Sequence, residues 1–319
     1  MHANKQVKNQ AQNNPPHIFD RVFKRLMTLS KPVIIQFING LFQTNYPLDS
    51  PVIQLATESV TDKLERFIAD IQFLISTDKY FIEIQMSEDE EMAIRVFNYE
   101  YLDAIKNKII EKNVIKLNFS RCTVIYLEPK KTTPEELIVE LRFPDESVHR
   151  FKIPTFKFLD HSISELERLN MTFLLPFYLL KLRQKVKRAQ TKKERLGLSY
   201  EMKALMEKII ETIKRNEEKG QMSRTDARIV IELMGKLYDN MYKQYPEFKE
   251  SNTMLDDMLL TYSEEAEIRT AKKMAQKIAQ NLIKKGLSVE EIAETTELDI
   301  ETVESLYKQG QNKLSTNCD

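Results

Sequence analysis

The feature that most limits the fold is where the β signal stops. Runs with strand character lie between Val52 and Ile153, and after Ser162 the chain carries helical apolar spacing almost without a break. A sequence patterned this way is expected to form an α/β domain first and a helical region after it, divided near Pro154 to Ser164. Composition agrees, since six Gly, no Trp and 13 Met in 319 residues favour long helices over a Gly-rich sandwich or barrel. The expected organisation is a disordered tail at 1–15, an α/β domain at 16–160, a helical region with a basic segment at 161–262, and terminal helices at 263–319. No internal repeat is present.

Within the first domain, Ile18, Val22, Phe23 and Leu26 keep helical spacing, and Pro32 suits the first turn of a second helix over Val33 to Phe42. Val52 to Leu55 is β-prone. Phe67 to Ile75 reads as one buried strand, and Tyr80 to Met86 alternates at period two, with Ser76 to Lys79 as the turn between them. A helix is expected from Glu90 to Lys112. It carries Arg95, Tyr99 and Asp103 four apart on one face and turns Val96, Leu102 and Ile109 to the core. Thr123 to Leu127 is a further strand, and Leu137 to Phe143 pairs with Val148 to Ile153 across Pro144 to Ser147.

Several function classes drop out early. The formal charge is zero, 48 basic against 48 acidic residues, so any nucleic-acid contact must come from local patches. Two isolated cysteines, Cys122 and Cys318, make no disulfide framework, and four His give no Cys/His metal cluster. Met1 to Pro16 is polar without an apolar h-region, so no signal peptide is expected. The longest apolar stretch, Met171 to Leu182, is too short to span a bilayer. The expectation is a cytoplasmic protein with no membrane partner.

The segment that can carry chemistry is Asp70, then Glu83-Ile84-Gln85. If the two strands form an antiparallel hairpin, Glu83 and Gln85 point to one face and Asp70 lies roughly opposite them. Two carboxylates on adjacent strands make an oxygen-rich site of the kind that takes Mg²⁺ with water and phosphate. The same residues could instead be strand carboxylates satisfied by an internal hydrogen-bond network. An unpaired charge in such apolar runs would cost several kcal/mol, and the spacing alone leaves the two readings even.

The pattern Asp70…Glu83-Ile84-Gln85-Met86, followed by Arg95 and Tyr99 on a helix, resembles the PD-(D/E)XK nuclease superfamily. Asp20-Arg21-Val22-Phe23-Lys24 matches the Asp-x-x-Phe-Lys motif of its recombination-promoting nuclease and transposase branch, which also carries Gln where most members have the final Lys. The likeness covers about Phe19 to Pro154. It implies a restriction-endonuclease-like core, a mixed sheet flanked by helices, acting as a Mg²⁺-dependent DNA endonuclease with Mn²⁺ as a substitute. A role in recombination or in the service of a mobile element goes with it. Asp70 and Glu83 would then be metal ligands, with the Ile84 carbonyl as a third, and Gln85 would orient the attacking water or a phosphate oxygen. Ala69 stands where the eponymous Pro would be, and the neutral Gln85 cannot supply the charge of a Lys. Asp20 reads either as a remote acid holding a metal through water or as a helix N-cap, and Lys24 as a phosphate contact or a solvated lysine. Arg95 and Tyr99 either face the site or form a surface pair.

Farther on, Lys181 to Lys219 holds 13 basic and 6 acidic residues, densest at Lys181, Arg183, Lys185, Lys187 and Arg188. These five are candidate DNA contacts, with a solvated helix face as the other reading. By contrast, Asp62 to Glu100 holds 10 acids against 4 bases. Near the end, Ile283 to Leu306 reads as helix, turn, helix, with Ser288 and Glu291 as a capping box and Asp299 facing Thr302 as a second cap. Glu301 and Glu304 make its second helix acidic, which suits a packing or oligomerisation element better than base readout. A homo-oligomer is thus left open. The alternative to a nuclease is a non-catalytic DNA-binding or assembly protein on the same fold.

Overall fold

The computed structural model describes residues 17–55, 58–60, 66–68 and 71–315. The expected tail at 1–15, Asp70 and Cys318 lie outside these residues. The chain divides into two compact units, Met1–Leu255 and Asp256–Asp319.

Two helices open the first unit, α1 (His17–Leu26) and α2 (Lys31–Phe42), the second with Pro in its first turn as its sequence requires. Val33 to Ile38 are all buried, so α2 is enclosed on every side rather than laid on a surface. Gly40 is what allows this, because a Cβ there would stand 1.8 Å from the Leu169 carbonyl oxygen.

Among the described residues ten strands follow: β1 (Val52–Leu55), β2 (Glu58–Val60), β3 (Arg66–Ile68), β4 (Ile71–Ile75), β5 (Asp78–Gln85), then β6 (Ile109–Glu111) and β7 (Val114–Lys116), β8 (Arg121–Tyr126), β9 (Glu136–Arg142) and β10 (Val148–Lys157). Six of them form one mixed sheet in the order β1-β4-β5-β8-β10-β9. β4 pairs antiparallel with β1 and β5, and β9 with β10, while β5 and β10 both run parallel to β8. A parallel β5–β8 pair needs a crossover, and α3 (Met92–Lys106) supplies it.

Three expectations need correction. Phe67 to Ile75 is not one strand: β3 pairs with β2 in its own ribbon, and β4 alone enters the large sheet. The helix expected to reach Lys112 stops at Lys106, and the apolar residues that extended its period belong to the β6–β7 hairpin, where Ile109 is exposed rather than in the core. The turn between β4 and β5 is only Ser76-Thr77, since Asp78 already pairs with Ile75.

The rest of the unit is helical: α4 (Ile163–Arg168), a fully buried 3-10 segment Thr172–Leu179, α5 (Leu180–Arg188), α6 (Lys192–Glu218) and α7 (Arg224–Tyr242). These belong to the same compact unit as the sheet. Asp226, itself buried, accepts from the backbone N–H and the hydroxyl of Ser30, which ties α7 to the start of α2. The apolar stretch Met171 to Leu182 is thus spent on core packing, and no helix among the described residues is long and apolar enough to cross a membrane.

In the second unit, α8 (Lys249–Lys284), most of which lies there, meets α9 (Val289–Thr296) and α10 (Ile300–Ser315) around Ala279, Ile292, Leu298, Val303 and Leu306. Both expected caps form: Ser288 with Glu291, and Asp299 accepting from the Thr302 N–H at 2.7 Å.

Candidate active site

β5 is covered on both faces, Tyr80 to Ile84 being buried without interruption. Alternation puts Lys79, Phe81, Glu83 and Gln85 on one face, and α3 lies over it. The two elements match in repeat: two strand residues advance about 6.7 Å and four helical residues about 6 Å. Asp103 therefore meets Lys79 at 2.6 Å, Tyr99 packs its ring on Phe81 at 5.9 Å, and Arg95 reaches Glu83 at 3.1 Å. This settles the placement of Arg95 and Tyr99, which face the strand rather than forming a surface pair. Phe81, Cys122, Val124 and Tyr126 then pack with Met92 and Val96 beneath that row.

Glu83 is 4% exposed. Its Oε1 accepts from Arg95 Nη2 at 3.1 Å and from Gln85 Nε2 at 3.2 Å, so a buried carboxylate is held by one cation and one amide. The other arm of the guanidinium, Nη1, donates to Asp89 at 2.8 Å. Ile82 pairs with Ile71 across β4–β5, and Glu83 follows Ile82. Asp70, the residue bonded to Ile71, lies outside the described residues.

At the end of β5 the surface opens into a cleft of about 580 Å³, lined by Phe19, Asp20, Ile84, Gln85, Met86, Ser87, Glu88, Asp89 and Leu127. Gln85, one of the lining residues, is the one that donates to Glu83. Asp20, Ile84 and Gln85 are thus brought to one cavity. Asp20 is the fourth residue of α1, inside its first turn, so it is not the N-cap; it makes an i,i+4 ion pair with Lys24 at 3.2 Å. Glu88 and Asp89 do not stand out in the sequence, because Ser87-Glu88-Asp89-Glu90-Glu91 is one acid-rich run whose spacing singles out neither residue. The signal that could have found them is its position directly after the strand that carries Glu83. Glu88 accepts from the Thr133 hydroxyl at 2.5 Å, which with Thr132 holds its carboxyl below the usual range. Burial pushes the Tyr126 phenol, register partner of Gln85, up to about 12, and the charges of Asp89 and Glu88 add to this.

The five basic candidates on α5 separate into two kinds. Arg183 is half-buried, donates to Glu128 at 3.0 Å and lies over the Phe19 ring, which lines the cleft. Burial pushes the Glu128 carboxyl up, and Arg183 and Lys187 pull it down. Lys181, Lys185, Lys187 and Arg188 are exposed; Lys181 donates to the Tyr178 hydroxyl, and Lys185 pairs with Glu201 at 3.2 Å.

Every donor here is oxygen or an amide, which suits a hard, partly hydrated cation such as Mg²⁺. Among the described residues, no three His, Cys, Asp or Glu side chains stand close enough together to hold a metal by themselves. Comparison with family models, curated proteins and solved structures finds no match to this chain.

Proposed function

We propose that this protein is a Mg²⁺-dependent DNA endonuclease built on a PD-(D/E)XK core, with Glu83 and Asp70 as metal ligands and Gln85 beside them. The observation that carries the reading is a buried glutamate on a central strand of a mixed α/β sheet, bound by a helix-borne Arg95 and by Gln85, which itself lines an acid-lined cleft. Burying a carboxylate costs several kcal/mol, and a core position that only needed filling would be apolar. The support for Asp70 is connectivity: it is bonded to Ile71, whose register partner Ile82 is bonded to Glu83.

When bound, Mg²⁺ supplies Lewis-acid polarisation of the scissile phosphate and a water nucleophile of lowered pKa. Glu83 would be one ligand of that cation, and Ile84 lines the adjoining cleft. Gln85 gives its N–H to Glu83 and keeps its carbonyl oxygen to orient the attacking water. Being neutral, it cannot oppose the charge that develops on the phosphate. We assign that part to Arg95, whose guanidinium bridges Glu83 and Asp89. The exposed Lys181, Lys185, Lys187 and Arg188 track the DNA backbone as point charges, and Arg183 positions their helix. Mn²⁺ substitutes for Mg²⁺, and the protein works in the cytoplasm.

The test is cleavage of supercoiled plasmid with Mg²⁺ or Mn²⁺ by the natural chain and by Asp70→Ala. Nicking by the former and its loss in the latter support the proposal. Equal cleavage by both removes it, and DNA binding with no cleavage under either metal favours a non-catalytic DNA-binding or assembly protein.

A further inference from the structure

Lys185 and Arg188 of α5 line one cavity of about 490 Å³ together with Lys193, Glu194, Gly197 and Glu201 of α6. Three cations against two carboxylates leave its walls net positive, and both carboxylates are already engaged. Glu194 accepts from the backbone N–H groups of Gln190 at 2.9 Å and Thr191 at 3.0 Å, as part of the box that caps α6. Glu201 accepts from Lys185 at 3.2 Å. Arg188 and Lys193 enter no ion pair among the described residues.

The bases of α5 sit in the last turn of their helix, where a cation suits the macrodipole. Two residues of α6 have no such explanation. Lys193 is the second residue of that helix, where the partial positive charge of the N-terminus makes a cation unfavourable. Gly197 lies in the helix interior, where glycine is weaker than any residue except proline. Its φ is not positive, so the backbone does not require it. Packing does not require it either, since a Cβ there would find open space, with no atom of the surrounding structure within 4 Å. The two positions are four apart, on one face of α6, and both open onto the same cavity. Local rules broken together at one place mark residues kept for something other than the fold.

We propose that this cavity seats a phosphate group. The Arg188 guanidinium offers a planar fork of N–H donors to its oxygens, Lys193 adds a second positive charge, and Gly197 leaves the room through which the group approaches the helix. Any side chain at position 197 would project into that room. A phosphate alone is much smaller than the cavity, which leaves space for the sugars on either side of a phosphodiester. DNA as the source rests on the contact proposed above for α5, whereas Asp70 and Glu83 take no part.

The experiment follows binding of a short labelled duplex to the full chain by anisotropy, across a salt series and in EDTA, so that cleavage does not enter. Arg188→Gln with Lys193→Gln should weaken binding and lower the slope of log affinity against log salt by about 0.9, the value for one phosphate. A fall of about 1.8 would mean that the two cations hold separate phosphates, which overturns a single seat. Gly197→Gln removes no charge and adds a better helix former, so it should raise the melting temperature and still lose the same slope. A lower melting temperature for Gly197→Gln means that the glycine serves packing, and overturns the proposal. Inorganic phosphate is the second probe. If it protects the natural chain from thermal unfolding more than it protects the variants, while all bind the duplex alike, the seat stands and its source is free phosphate. A natural chain that binds no duplex removes the DNA reading, and the same phosphate comparison then upholds or overturns the seat. Variants that match the natural chain in salt slope and in response to phosphate overturn the proposal.

Discussion

Arg95 holds Glu83 and Asp89 at once, through Nη2 at 3.1 Å and Nη1 at 2.8 Å. One guanidinium thus joins the buried carboxylate of β5 to the acidic run that follows the strand, and it does so from a helix whose four-residue repeat keeps step with the strand's two. The planar fork is what permits two carboxylates to be served at fixed angles. Arg95→Gln should lower stability by about 1–3 kcal/mol in denaturant titration, since a carboxylate buried at Glu83 loses its cation. Arg95→Lys should recover only part of this, because an ammonium is a point charge. No change in midpoint for either variant would mean that the ion pair is incidental.

The basic helix gives a prediction about DNA. Lys185→Ala, Lys187→Ala and Arg188→Ala together should weaken plasmid binding and flatten its salt dependence by about 0.9 log units for each phosphate no longer neutralised. Arg183→Ala should instead lower the melting temperature, because it leaves Glu128, 17% exposed, without its partner and uncovers the Phe19 ring. If the triple variant binds with an unchanged salt slope, α5 is not the DNA track.

Glu100 on α3 sets a pH dependence. It is 1% exposed, its Oε2 accepts from the Ser120 N–H at 2.5 Å, and its Oε1 has no hydrogen-bond partner among the described residues. Burial is the largest influence on this carboxyl and raises it above its usual value, with Asp103 adding and Ser120 and Lys79 opposing. The folded state therefore keeps a proton that the unfolded state releases. The stability this gives is complete below the ordinary carboxylate pKa of about 4.5 and is lost as pH rises from there through the raised folded value. Glu100→Gln, which cannot ionise, should be more stable than the natural chain at neutral pH by on the order of 1 kcal/mol, with the gap closing toward pH 4. A gap that does not change with pH, measured by urea midpoints across that range, would show that folding leaves the Glu100 carboxyl unshifted.

Much of this fold is legible in the residues. Ile18, Val22, Phe23 and Leu26 mark α1, Pro32 marks α2, and the alternation after Tyr80 marks β5, because each feature depends only on near neighbours. The division within Phe67 to Ile75 was not legible, since a continuous apolar run carries no register. The overrun of α3 has a local cause: Ile109 and Ile110 prolong the helical period, and Lys112-Asn113 is a weak turn signal although Lys112 adopts a φ of 54°. The site is split in the same way. Glu83 and Gln85 stand out as polar residues within an apolar strand. The joining of Arg95 to Asp89, and of Asp226 to Ser30 across 196 positions, depends on packing that no local pattern encodes.

The central claim is that Glu83 and Asp70 hold one divalent cation. The most direct measurement is anomalous diffraction at the manganese edge from crystals soaked in Mn²⁺. A single peak is expected about 2.0–2.3 Å from a carboxylate oxygen of each residue, absent from Glu83→Gln crystals soaked the same way. Density with no peak at Glu83, or a peak ligated only by the acids at the mouth of the cleft, would contradict the claim.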